Sequence, residues 1–432
     1  MAGCEDDDDP KREKSSISFT SFNYINSIVG SGVIGMPLAL HEAGFGVGLL
    51  LLVLVSLITD ASLCLMIAVA RTVQANTYQE LVSRAFGRPG FIVTSCLQFL
   101  YPFISLISYN IIVGDTMTKV LIRVTGIGEE SVLARREFIM AASTLLITLP
   151  LSLYRNITRL AKISLTSVVM IVVIVVAMLV RMSTMRGIVP ATPTPGSSAA
   201  PTSSAIGIMS FAFMCHHSSF LVYESLADNT QERWNKVTHI SIASAAVLSL
   251  VFAVAGYVTF TGLAQGDVFE NYCWADDLMN ICRGFYAVTI LLTFPIECFV
   301  ARDVLETAFF QDYQPQPFFR HAVLSVLIAL LCMLLSLATD CLGIVLELNG
   351  ILCAVPLAYI LPALCYIKLE EGPLWSQSKW TAWGVAIFGV TSAMVGTVSL
   401  FRNIGELSEC SHGTQMPYCL TGVNETAVEF NF

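Results

Sequence analysis

Three glycines within six residues, Gly30, Gly32 and Gly35, interrupt an apolar stretch that reads Asn26-Ser27-Ile28-Val29-Gly30-Ser31-Gly32-Val33-Ile34-Gly35-Met36-Pro37. Each glycine weakens a helix by about 1 kcal/mol relative to alanine, so a helix over this stretch is expected to break. A break frees backbone N–H and C=O groups, and in hydrocarbon these must meet protein, water or ligand. An amino acid supplies both kinds of partner. Its carboxylate can sit on the N–H groups of Gly30, Ser31 and Gly32 at the positive end of a half-helix, while freed carbonyls face its ammonium or a cation. We assign Ser27, Gly30, Ser31 and Gly32 to substrate on that basis. The alternative is that the glycines serve close helix packing.

Asn26 lies one turn before the glycines, and its amide oxygen in an apolar helix needs a partner. Sodium, a hard cation, accepts such an oxygen together with the freed carbonyl of Val29 and the hydroxyl of Thr293. Thr293 precedes Phe294-Pro295, where the proline removes one helical hydrogen bond. A lone membrane threonine also commonly bonds back to its own helix. Tyr109 can offer its phenol to a substrate carboxylate; Tyr101, beside Pro102, reads as a packing residue. A second polar interruption, Phe211-Ala212-Phe213-Met214-Cys215-His216-His217-Ser218-Ser219, places Phe211 and Ser218 in a mid-membrane patch, where we expect them to meet substrate. It holds two histidines, and because imidazole as a side-chain type changes charge near physiological pH, one of them is a candidate to carry or sense a proton, or else a buried neutral ring bonded to a carbonyl. Adjacent residues point about 100° apart on a helix, so both face one site only if the helix is unwound there. Glu297 lies one turn beyond Thr293 and joins His216 and His217 as a proton candidate; Asp60 and Glu347 read as structural hydrogen-bonders.

The elements that must hold these residues are apolar spans. Hydrophobic residues form 55% of 432 positions and charged ones 13%, about half the charge of a soluble domain. Eleven apolar segments fall at about 20–40, 46–70, 91–117, 138–154, 161–183, 205–225, 238–261, 279–300, 322–340, 343–366 and 380–401, each near the length that crosses a bilayer. The formal charge of -9 without basic patches excludes a nucleic-acid partner. An odd number of spans puts the termini on opposite sides, and about 15 of 23 basic residues, including Lys11, Arg71, Arg155 and Lys236, fall on the side of the N-terminus, which is therefore expected to be cytoplasmic.

The expected organisation is an acidic tail (1–18), a first five-segment repeat (19–183), a linker rich in Pro, Ser and Thr (184–204), a second repeat (205–366), an eleventh segment (367–401) and an outer or lumenal tail (402–432). Segments 1 and 6 open the two repeats, and interrupted helices at matching places mark a transporter site. The fold expected is thus an all-α membrane protein with a five-plus-five inverted repeat and broken helices 1 and 6. The sequon at Asn424 is an expected glycosylation site; that at Asn156 falls in a cytoplasmic turn. No paired nucleophile and base or metal triad suggests an enzyme.

The segment from Asn26 to Pro37 resembles the first-helix motif of the sodium-coupled neutral amino acid transporters, in the amino acid and auxin permease superfamily. The resemblance continues through Gln98 to Ile104, Pro150 to Asn156, Met209 to His217, Phe294 to Val300, Gly343 to Gly350 and Cys410 to Gly413. It implies the inverted-repeat fold, sodium at Asn26 and Thr293, a small neutral amino acid as substrate, and proton antiport as in one branch of the family. It implies membrane lipid as surroundings, in the plasma or endolysosomal membrane, and no organic cofactor. The family's outer disulfide joins the loop after helix 5 to that after helix 7. Here 184–204 holds no cysteine, and we expect Cys410 to pair with Cys419 instead. A different role, that of a transceptor reporting the amino acid to a soluble partner, would use the same broken helices; the short N-terminal tail favours transport.

Overall fold

The computed structural model describes residues 15–128, 130–154, 164–190, 192, 202–310, 317–339, 341–403 and 415–420. Cys410, Asn156, Asn424 and most of the 184–204 linker lie outside the described residues. Within them, helices account for every long element, and the only β pairing is an isolated bridge between Ser15 and Leu226. Nine helices among the described residues are long and apolar enough to cross a membrane. Segment 1 is broken as expected, and segment 4 is also built from joined shorter pieces. Segment 1 runs as Ile17–Ile28, a 3-10 turn Ser31–Gly35, and Met36–Ala43. Segment 4 runs as Arg136–Ser143, a π-helical turn Thr144–Thr148, and Leu149–Ser152.

Local sequence accounts for the departures from straight helix. Segment 6 stops at Ala212 and resumes at Ser219, with a 3-10 turn His216–Ser218 between. The continuous helix Tyr78–Thr125 bends at Gly87, whose φ of 68° and ψ of -156° no helix accommodates, so segment 3 gains a short leading arm that the apolar pattern alone does not reveal. Segment 10 widens into two π-helical turns, Gly350–Ala354 and Pro356–Ile360, where Pro356 and Pro362 withhold backbone donors. The first helix is capped by the Ser16 hydroxyl, which accepts from the Phe19 N–H at 3.4 Å.

Segments 3 and 8 share the most extensive contact in the bundle. Two glycine contacts bring backbones together around segment 6: a methyl at Gly32 would overlap the Ala212 backbone, and one at Gly350 would overlap the Gly207 carbonyl. Facing outward are Leu50 (74% exposed), Leu57 (63%), Leu146 (75%) and Phe401 (75%), a surface stable only against hydrocarbon. The chain is a multi-pass membrane protein.

Each end of the bundle is tied. At one, the Ser15 N–H donates to the Ser225 carbonyl at 2.8 Å and the Ala227 N–H to the Ser15 carbonyl at 3.0 Å. At the other, the loop between segments 7 and 8 carries Glu270 to Lys119 of segment 3, Asp276 to Arg181 of segment 5 at 2.6 Å, and Asp277, the first residue of segment 8, to Arg123 at 2.6 Å. The expected Cys410–Cys419 bridge is corrected here: Cys419 is bonded to Cys273, 146 residues away, with a Cα separation of 5.5 Å. The tail reaches that loop because the Tyr418 hydroxyl donates to the Asn271 carbonyl at 2.5 Å. Cys341 is disulfide-bonded as well.

In the same loop, burial, with Glu270 and Asp115 alongside, pushes the Asp267 carboxyl well above the usual carboxylate range. The folded chain then holds this proton more tightly than the unfolded chain, whose value is about 4. The resulting stabilisation is complete below that pH and is lost as pH rises through the higher folded value. Asp267→Asn should flatten this dependence, giving a thermal midpoint in detergent that falls less than that of the wild type as pH is raised.

Candidate functional site

The two breaks meet inside the bundle. At the first, Gly30 precedes the turn Ser31–Gly35 with no side chain capping it, and Gly30, Ser31 and Gly32 are all buried. The opening N–H groups of a helix lack intrahelical partners, so this turn presents donors. The Tyr286 hydroxyl donates to the Gly30 carbonyl at 3.2 Å. The Tyr109 hydroxyl lies 3.7 Å from where a Gly30 side chain would begin. Ser27 is half-buried at the end of the preceding helix.

Tyr101 governs the second break. Its hydroxyl donates toward the carbonyls of Phe211 at 3.2 Å and Met214 at 3.4 Å, where segment 6 unwinds; the Phe211 carbonyl also accepts the Met214 N–H at 3.2 Å. The ring lies 5.7 Å from that of Phe211 and 4.9 Å from that of His217. Its own carbonyl accepts from the Asn349 amide at 3.0 Å, which also donates to Ser105 at 3.1 Å. Expected as a packing residue, Tyr101 is the partner that replaces the missing helical hydrogen bonds.

The two histidines part. His216 points to Ser62 of segment 2, its Nε2 3.3 Å from the hydroxyl, while His217 approaches Glu297 of segment 8, with Nε2 3.4 Å from Oε2. His217, Tyr101 and Glu297 thus join segments 6, 3 and 8 in one buried group. Ser218 donates back to the Cys215 carbonyl at 3.1 Å. Phe211 is buried against Tyr101, its carbonyl engaged as above.

The oxygens expected to hold a cation are placed differently from one another. Asn26 is 5% exposed and its Oδ1 has no hydrogen-bond partner, the condition in which a hard cation would be accepted. Val29 is buried beside the break. The Thr293 hydroxyl donates to the Thr289 carbonyl at 2.8 Å, the self-bonded arrangement, and makes no hydrogen bond to Asn26. Its oxygen lone pairs stay available to a cation. Asp60 and Glu347 are structural as expected: His239 lies 2.7 Å from Asp60, and Ser204 donates to Glu347 at 2.9 Å.

Sequence reasoning missed Tyr286, Asn349, Ser62 and Tyr24. The Tyr24 hydroxyl is 2.6 Å from that of Ser219, at the restart of segment 6. Asn349 was the one with a signal, a polar amide between Leu348 and Gly350 in an apolar segment; the tyrosines resemble any aromatic in a lipid-facing helix.

The family model described as transmembrane amino acid transporter protein matches residues 13–402. The chain belongs to this family. Transporter family members in zebrafish and mouse, each named "Putative sodium-coupled neutral amino acid transporter 11", are 45% and 46% identical to it over 95% and 94% of this chain and 91% and 89% of their own. "Vacuolar amino acid transporter 2" of Saccharomyces cerevisiae is 30% identical over 83% of this chain and 78% of its own. Among solved structures, MhsT in complex with L-phenylalanine superimposes with a TM-score of 0.62 at 14% identity, over 89% of this chain and 98% of its own. That likeness shows a shared fold. The chain is therefore a transporter of the amino acid transporter family and not an enzyme.

Tyr101→Phe would remove the donor to the Met214 carbonyl and leave the Phe211 carbonyl only the Met214 N–H. A destabilisation of roughly 1–3 kcal/mol is expected, read as a lowered thermal midpoint with the helical content retained.

Proposed function

We propose that this chain carries small neutral amino acids across its membrane together with sodium, by alternating access of the two repeats. The observation that carries the reading is the buried, unpartnered Oδ1 of Asn26 beside an uncapped turn whose N–H groups suit a carboxylate. In this reading the sodium travels as co-substrate on Asn26, the Val29 carbonyl and Thr293. The amino acid lies against Ser27, Gly30, Ser31 and Gly32, with Tyr109 near its carboxylate and Phe211 and Ser218 on the opposite wall. The names of the zebrafish and mouse relatives support sodium coupling and a neutral substrate.

His217 with Glu297 is the pair assigned to proton exchange, because imidazole changes charge near neutral pH and a carboxylate faces it. His216, turned to Ser62, is assigned a structural role. The orientation follows from two independent features. Basic residues concentrate on the side of the N-terminus, and disulfides form in oxidising compartments, so the end bearing Cys273–Cys419 faces outward or into a lumen.

Purified protein in liposomes, given labelled glutamine and a mixed panel of neutral amino acids, should show uptake that depends on an inward sodium gradient. Asn26→Ala is expected to reduce it at least tenfold, and Thr293→Ala to raise the sodium concentration required. Sodium-independent uptake unaffected by either change would overturn the cation site. His217→Gln should remove the pH dependence of uptake between about pH 6 and 8; an unchanged pH profile would remove the proton role.

A further inference from the structure

At the end of the bundle covered by the 7–8 loop lies a cavity of about 220 Å³, lined by Gly114, Asp115, Thr118, Lys119 and Ile122 of segment 3, Ala134 and Arg136, and Glu270 and Trp274 of the loop. It takes no part in the site at the breaks. One water needs only about 10–15 Å³ of such space, so there is room for a solute of several atoms.

The charges around it are nearly all buried and of both signs. Lys119 pairs with Glu270, each side chain 3% exposed, and Arg136 Nε donates to Asp115 Oδ1 at 2.5 Å. Two donors are left over: Nη2 of Arg136 and the indole Nε1 of Trp274 are buried without acceptors. An indole N–H can only donate, so it is satisfied by an incoming acceptor or not at all. The Lys119 ammonium lies 5.8 Å from the Trp274 ring centroid, adding positive potential on the same wall. A bare anion placed there would also meet the carboxylates of Asp115 and Glu270. A zwitterion brings its own positive charge to them.

We propose that this cavity is a second binding site for an amino acid, distinct from the broken helices, in which Arg136 and Trp274 take the carboxylate and Asp115 and Glu270 face the ammonium. It rests on the reading that the protein handles small neutral amino acids. A guanidinium N–H and an indole N–H converging on one carboxylate give charge-assisted recognition. The ammonium would compete with Lys119 for Glu270 and so loosen the tie between segment 3 and the 7–8 loop.

Trp274 is its own reporter. In the purified full chain, titration with glycine, alanine or glutamine should give a saturable change in tryptophan emission that persists in Asn26→Ala, disappears in Trp274→Phe and requires at least tenfold more ligand in Arg136→Gln. Thr118→Leu, which fills the cavity without touching either ion pair, should abolish the change while the thermal midpoint is retained, so a folding defect in Arg136→Gln would not leave the idea untested. A signal lost in Asn26→Ala but kept in Arg136→Gln would place all binding at the broken helices and overturn the proposal. So would the same change produced by sodium chloride and not by sodium methanesulfonate, which would make this an inorganic anion site, or the absence of any saturable change. Flux lost in liposomes while the emission change persists would overturn the transport reading and leave this site standing.

Discussion

Backbone groups stripped of their helical partners are expensive in hydrocarbon, and two helices of this chain are interrupted where no water is available to compensate. Most of the unusual side-chain placements in the bundle answer that expense. Tyr101 donates to two carbonyls of the segment-6 break, Tyr286 to one carbonyl of the segment-1 break, and Asn349 holds Tyr101 by its own backbone. The N–H groups from Gly30 to Gly32 open a turn that no side chain caps, so the carbonyls of the two breaks are served by tyrosines while this turn is not served by a cap.

The same constraint explains why small residues sit where segments cross. Gly32 against Ala212 and Gly207 against Gly350 let segment 6 approach segments 1 and 10 closely enough for tyrosine hydroxyls to span the remaining gap. Close packing therefore accounts for Gly32 by itself, whatever else the Gly30-Ser31-Gly32 motif does. His217 and Glu297 enter the same buried group from different segments, and His217 lies against Tyr101, the partner that holds the break.

Much of this was legible in the sequence. The clustered glycines announced the break in segment 1, and the polar run Phe211 to Ser219 announced that in segment 6. Asn26 could be singled out because an amide is rare in apolar surroundings. Legibility failed where chemistry arises from distant pairing. Nothing near Tyr101 distinguishes it from an aromatic that packs, since its role depends on segment 6 unwinding 110 residues later. The pairing of Cys419 with Cys273 was missed for a similar reason: proximity in sequence favoured Cys410, whereas the tail is carried to the 7–8 loop by Tyr418. Segment 4 read as a single span because apolar patterning records burial in lipid and is blind to changes of helical pitch.

The tie between Ser15 and the turn at Ser225 and Ala227 is made of main chain alone. Two such hydrogen bonds are worth about 1–3 kcal/mol together, enough to bias an open–closed equilibrium roughly 5- to 150-fold. Being independent of side chains, this clasp tolerates almost any residue at its own positions. What it does not tolerate is a change in the number of residues between Ser15 and the first helix, or a proline at 227. The chain's freedom to vary at this end is therefore wide in composition and narrow in length.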